Sequence, residues 1–168
     1  MKKIYLLVFL WAPILWAQSA VKSATDPLAP LAWMVGGTWH GEISMPGNGA
    51  VTRIDTRIRR TLGGHVLAFD TNFNGSPRYE GQFAYDAVRK QIVLAYGAAD
   101  GGWVEGTVQP QPAFLLWDFE VHESDGTVGH YQLHVHQDDA DDYTWALFGQ
   151  RDGVWSPQFQ IKYHRLAD

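Results

Sequence analysis

Leu31-Ala32-Trp33-Met34-Val35-Gly36-Gly37-Thr38-Trp39-His40-Gly41-Glu42 joins a short apolar turn to an alternating segment through two adjacent glycines. The junction reads as the plug and first strand of a small barrel. Gly36 and Gly37 permit backbone angles that a residue bearing a Cβ resists, so the chain can turn sharply between the two. Trp39 then brings the largest apolar side chain to the closed end of whatever the following strands enclose.

Downstream, runs of alternating apolar and polar residues, rich in aromatic and β-branched types, are separated by glycine and aspartate turns. No amphipathic helix interrupts them. Two strands of a hairpin must agree on which face is inside, and this can be checked on the sequence. Thr52, Ile54, Thr56, Ile58, Arg60 and Leu62 share one face. A two-residue turn at Gly63-Gly64 puts Leu62 opposite His65, Ile58 opposite Phe69 and Ile54 opposite Phe73. Leu115, Trp117, Phe119 and Val121 form a second apolar face, and Gly129, Tyr131, Leu133 and Val135 a third. These two align only across an odd-numbered loop, which Ser124-Asp125-Gly126 supplies. Further on, Tyr143, Trp145 and Leu147 precede a turn at Arg151-Asp152-Gly153, and Phe159, Ile161 and Tyr163 alternate with polar neighbours. Pro157 belongs at a bend or strand start, because it cannot donate to a ladder. The pattern predicts an all-β chain, a single antiparallel up-and-down barrel of about eight to ten strands. A sheet of that size closes to remove its edges, and a two-layer sandwich is the alternative.

Before the barrel, Lys2 and Lys3 precede an apolar run over residues 4–15, broken only by Pro13 and followed by the small residues of Ala17-Gln18-Ser19. Residues 1–19 thus read as a secretory signal, too short for a membrane span. Residues 20–30, with Pro27 and Pro30, read as a linker, a helical turn is expected over 31–35, and the barrel domain is assigned to 31–168. Loss of Lys2 and Lys3 takes the formal charge from -5 to -7, which argues against nucleic acid as a partner. Arg53, Arg57 and Arg59 fall on one strand face and Arg60 on the other, the ordinary signature of a solvated outer face. The chain has no cysteine, which excludes disulfides, thiol catalysis and a lipidated cysteine anchor while remaining compatible with an oxidising compartment.

Gly37-Thr38-Trp39 resembles the Gly-x-Trp signature of lipocalins and the wider calycin barrels, and the stretch through Glu42 is similar to the opening of nitrobindin-like barrels. Leu62-Gly63-Gly64-His65-Val66-Leu67 with Tyr79-Glu80-Gly81-Gln82-Phe83-Ala84-Tyr85-Asp86 resembles the Gly-Gly-x-x-Leu and Glu-Gly-x-x-x-Tyr-Asp pattern of bacterial lipocalin-like families of unassigned function. The resemblance spans roughly residues 30 to 100. It implies a lipocalin-like barrel with Gly37, Trp39 and Arg165 as its structural signature, Arg165 packing over the tryptophan. Nitrobindin similarity raises haem, but a glutamine stands where the haem-binding histidine of the last strands would be needed. No cofactor is therefore expected.

The inner face carries Trp39, Phe69, Phe83, Tyr85, Trp117, Phe119, Tyr131, Trp145 and Tyr163. Two readings stay open: these rings fill the barrel, or they line a pocket for an apolar or amphipathic molecule. Arg60 and His65 point inward beside the Gly63-Gly64 turn, where they could meet an anionic head group if that end is open. The bland reading is that Arg60 reaches solvent or a local acid. His134 and His136 have the spacing of a two-ligand metal pair, but the apolar register sends them outward, so a metal is not expected. No nucleophile elbow surrounds Ser44, Ser76, Ser124 or Ser156, and the acidic run Asp138-Asp139-Ala140-Asp141-Asp142 reads as a solvated turn. The expectation is an exported, non-enzymatic carrier or sensor of a small apolar or amphipathic molecule, without stable membrane insertion after signal cleavage. A haem-binding barrel and an interaction module with a filled core are the alternatives.

Overall fold

Each alternating run becomes a strand in the computed structural model, which describes residues 26–44 and 49–166. The expected signal and the first part of the linker lie outside these residues. A 3-10 turn, Ala29–Met34, leads into β1 (Thr38–Ser44), β2 (Val51–Thr61), β3 (Val66–Phe73), β4 (Ser76–Asp86) and β5 (Gln91–Ala98). There follow β6 (Trp103–Pro110), β7 (Leu115–His122), β8 (Val128–Gln137), β9 (Asp142–Arg151) and β10 (Val154–Leu166). All pairings are antiparallel between consecutive strands, and β1 pairs with β10 to close the barrel. Closure leaves no unpaired edge for another chain to add to.

Both sequence-derived hairpin registers hold. Ile58 lies opposite Phe69 and Ile54 opposite Phe73. Leu115, Trp117, Phe119 and Val121 face Val135, Leu133, Tyr131 and Gly129. The three-residue loop is closed by Glu123 N–H donating to the Thr127 carbonyl at 2.8 Å, with Gly126 at φ 88. Asp152 and Gly153 form a two-residue turn with φ of 51 and 77, the primed geometry that matches strand twist.

The Gly63-Gly64 turn needs correction. Pairing stops at Thr61 and Val66, and residues 62–65 cross between strands with Leu62, Gly63 and Gly64 all at positive φ. Leu62, placed inside by alternation, is 75% exposed. The register survives because four crossing residues preserve the same pairing as two.

The plug also starts earlier than expected. Its turn runs Ala29–Met34 with Pro30 in its first turn, where the missing N–H has no intrahelical partner to lose. Leu28, Leu31 and Met34 are fully buried in the core with Trp39, so the packed domain reaches back into the expected linker. Pro157 sits at a register shift between Pro157 and Phe159, the β-bulge that its missing donor favours.

Inner-face glycines set the curl of the wall. A Cβ on Gly41 would lie 2.8 Å from Ile161 Cγ2 and 2.9 Å from the Tyr163 ring, and one on Gly129 would lie 2.5 Å from the Tyr131 ring. At Gly81 a Cβ would lie 2.1 Å from Tyr96 Cβ. Each glycine lets an aromatic side chain fold flat across the wall.

Candidate functional site

The interior divides into a plugged end and a looser remainder. At the plug, Trp39 donates its indole N–H to the Met34 carbonyl at 2.8 Å, and its ring meets Trp33 and Tyr143 edge-on at 6.0 and 4.8 Å. Arg165 lies over Trp39 with its guanidinium carbon 4.2 Å from the ring centroid. The same guanidinium donates to the carbonyls of Trp33, Val35 and Gly36 at 2.6, 3.1 and 2.8 Å. One planar fork thus satisfies the carbonyl groups at the end of the 3-10 turn while covering the tryptophan. Gly37 makes room, since a Cβ there would press to 3.1 Å from Arg165 Cγ.

This arrangement corrects the reading of Arg60 and His65. Arg60 donates to Asp26 at 2.7 Å and to the Gly64 carbonyl at 3.0 Å, and His65 is exposed. Asp26 in turn accepts the Leu28 N–H at 2.9 Å. That backbone bond and Arg60 hold the Asp26 carboxyl below its ordinary pKa. The two residues therefore stand at the end that the plug occupies, and Arg60 ties the plug's leading edge to β2. Alternation gave their face, but the plug is made by residues that precede the strand.

Of the other expected inner residues, Phe69, Phe83, Phe119 and Tyr163 are buried. Phe69 packs on Phe83 at 5.3 Å, Phe119 stacks on Tyr131 at 6.0 Å and Tyr163 stacks on Tyr143 at 4.7 Å. Tyr131, Trp117 and Trp145 face inward but are only half-buried. Tyr85 is a correction: it shares the inward face of β4, yet at the strand's end it is 38% exposed. The Trp145 ring lies tilted beside Tyr163, with centroids 6.4 Å apart. The Trp117 Nε1 is shielded from solvent and has no hydrogen-bond partner among the described residues.

Sequence reasoning missed Arg78, Tyr79 and Tyr96. A register shift in the β3–β4 ladder, between Thr71 and Asn72, displaces Arg78 from simple alternation. Its guanidinium lies 5.2 Å from the Tyr79 ring centroid and pairs with Asp100 at 2.7 Å. Tyr79 meets Tyr96 edge-on at 5.3 Å, and Tyr96 meets Phe69 at 5.6 Å. Burial pushes the Tyr96, Tyr143 and Tyr163 hydroxyls above their ordinary range. They are neutral phenols at any physiological pH. Pro77, two residues past the Asn74-Gly75 turn, was the available signal for the irregular ladder.

The histidines lie on the outer wall. His134 stacks on Phe114 at 4.5 Å and on Phe148 at 4.6 Å, while His136 meets Phe114 at 5.3 Å. His164 is exposed and bonded to Asp142 at 3.0 Å, and Gln158 lies in the bulge beside Gly149. The acidic run is a turn whose Asp139 carboxylate accepts the N–H groups of Asp141 and Asp142 at 2.8 Å. The arginines expected on the outer face lie there: Arg53 pairs with Asp55 at 2.9 Å, Arg59 with Asp70 at 2.6 Å, and Arg57 donates to Thr38 at 3.1 Å.

Fold and interior together define the class: a closed ten-stranded antiparallel barrel with a tryptophan-centred plug. No family model matches the sequence, and no curated protein matches it. Among solved structures, the crystal structure of Rv2717c from M. tuberculosis is similar, with a TM-score of 0.56 at 13% identity over 84% of this chain and 98% of that one. At that identity the likeness is one of fold.

Proposed function

We propose that the barrel binds a small amphipathic molecule on its inner face, beside Trp117. The observation that carries this is the Trp117 indole N–H, a buried donor without a partner among the described residues, on a face whose residues Tyr131 and Trp145 keep part of their surface exposed. A buried polar group left unpaired costs about 1–3 kcal/mol, so a site for an incoming acceptor is a physical reason to keep one. An indole N–H only donates. The ligand must therefore bring a carbonyl, hydroxyl, ether or carboxylate oxygen, with an apolar body to cover the surrounding rings. The leader-like first nineteen residues support a protein that does this after export, as a carrier or sensor.

The test is native mass spectrometry of the protein from its own host's envelope, before and after denaturation, with titration of a fluorescent fatty-acid probe. Extra mass lost on denaturation, or saturable probe uptake weakened about tenfold by Trp117→Phe, supports the reading. Neither extra mass nor probe uptake would leave a filled barrel, with function on its outer surface.

A further inference from the structure

We propose that the outer wall over β3, β4 and β5 carries a binding groove for neutral carbohydrate, separate from the interior. The groove encloses about 400 Å³ and is bounded by Trp103 and by the side chains of Arg59, Asp70, Asn72, Glu80 and Gln82. Its floor is low because the small side chains of Ala68 and Ala95, both opposite Gln82, lie between these long residues.

Trp103 is 46% exposed, an unusual position for the largest apolar side chain. Its partner across the ladder in β5 is Gly97, and nothing lies within 4 Å of where a Gly97 Cβ would stand. One flank of the indole is thus uncovered, facing the groove.

The polar rim is arranged in cross-strand pairs: Asp70 opposite Glu80, and Gln82 opposite Ala68 and Ala95. Asp70 is held by Arg59 at 2.6 Å. Glu80, Gln82 and Asn72 use none of their side-chain hydrogen-bonding capacity on a described residue. An open indole ring beside one carboxylate and two free planar amides suits a pyranose. The sugar's C–H face lies on the ring, and adjacent hydroxyls, each donor and acceptor, bridge the two atoms of an amide or carboxylate. Charge narrows the class. Arg59 and Asp70 cancel, Glu80 remains, and the chain is acidic overall, so uronates, phosphates and nucleic acid are disfavoured. A lipid chain would leave the rim unpaired.

The experiment follows the indole N–H signals of the ¹⁵N-labelled full chain while maltotetraose, cellotetraose and chitotetraose are added in turn at millimolar concentration. The Trp103 signal is assigned by its disappearance in Trp103→Tyr. At least one sugar should shift that signal saturably. Trp103→Ala should then weaken binding about tenfold or more, and Glu80→Gln and Asn72→Ala about threefold to tenfold each. Trp103→Tyr, which keeps a stacking ring, should retain most of the affinity, and so guards against a misfolded Ala variant. Trp117→Phe, inside the barrel, should leave sugar binding unchanged, so that failure of the interior site and failure of the groove are told apart. No shift of Trp103 with any of the three sugars overturns the proposal, as does saturable binding that Trp103→Ala and Glu80→Gln leave intact.

Discussion

Trp39 and Trp117 are both tryptophans on the inner face of one barrel, yet their surroundings are opposite. Trp39 has no exposed surface, gives its N–H to Met34 and lies under the Arg165 guanidinium. Trp117 is half-buried, meets Phe83 edge-on at 5.0 Å and gives its N–H to no described residue. The difference teaches where the molecule invests stability and where it holds binding capacity in reserve. A side chain whose every polar and apolar group is satisfied holds the fold, and one left with an unspent donor can select a ligand.

The comparison breaks most directly by truncation at the plug. Trp39→Ala removes a fully buried ring and its hydrogen bond, and should cost about 3–5 kcal/mol, read as a fall in the urea midpoint. Arg165→Met should cost about 2 kcal/mol, because three carbonyls lose a shared donor at once. Arg165→Lys should recover less than half of this, since an ammonium cannot span three acceptors in a plane and stack on the ring together. An Arg165→Met midpoint equal to that of the unsubstituted protein would mean that the plug stands without its lock. Next in size, Trp117→Phe should change stability by less than about 1 kcal/mol, the loss of volume being offset by removal of an unpaired donor. Were Trp117→Phe as costly as Trp39→Phe, the two tryptophans would be equally packed and the division between them would fall.

The plug and the rest of the barrel were also unequally legible in the sequence. Plug and strand were readable because Gly36, Gly37 and Trp39 are contiguous, and both glycines do take positive φ, at 88 and 67. Hairpin registers were readable because alternation and loop parity are local constraints. Three things were not. Arg60 was put on the correct face, but that its end is the plugged one depends on Asp26, thirty-four residues away. Arg78 and Tyr79 were hidden by a register shift inside a strand, which breaks the period-two rule at the place where it mattered. Trp103 and its groove join residues of different strands across the small side chains of Ala68 and Ala95. Nothing in a run of sequence marks a concavity, which is made by what neighbouring strands leave out.

On the outer wall of β8 the same contrast recurs on a smaller scale, between two histidines of one strand face. His130 is held by a polar partner: its Nε2 lies 2.6 Å from Asp118, and that bond raises its pKa above the ordinary 6.5. His134 is held by rings, between Phe114 and Phe148, and desolvation, with His136 beside it, lowers its pKa below 6.5. The signs follow from which state binds the proton more tightly. His130 contributes stability that is fully present below pH 6.5 and is lost as pH rises through its higher folded value. His134 contributes stability present above pH 6.5 and lost as pH falls through its lower one. Both groups are partly exposed, so solvent screening should keep each effect to roughly a few tenths of a kcal/mol. Urea midpoints taken across about pH 5 to 8 for His130→Gln and His134→Gln should therefore diverge from the unsubstituted protein in opposite directions: the first loses stability mainly on the acidic side, and the second flattens the acidic decline. If both variants change the profile with the same sign, packing by rings and pairing with a carboxylate are not distinguishable on this wall, and the stacked aromatics are not keeping His134 dry.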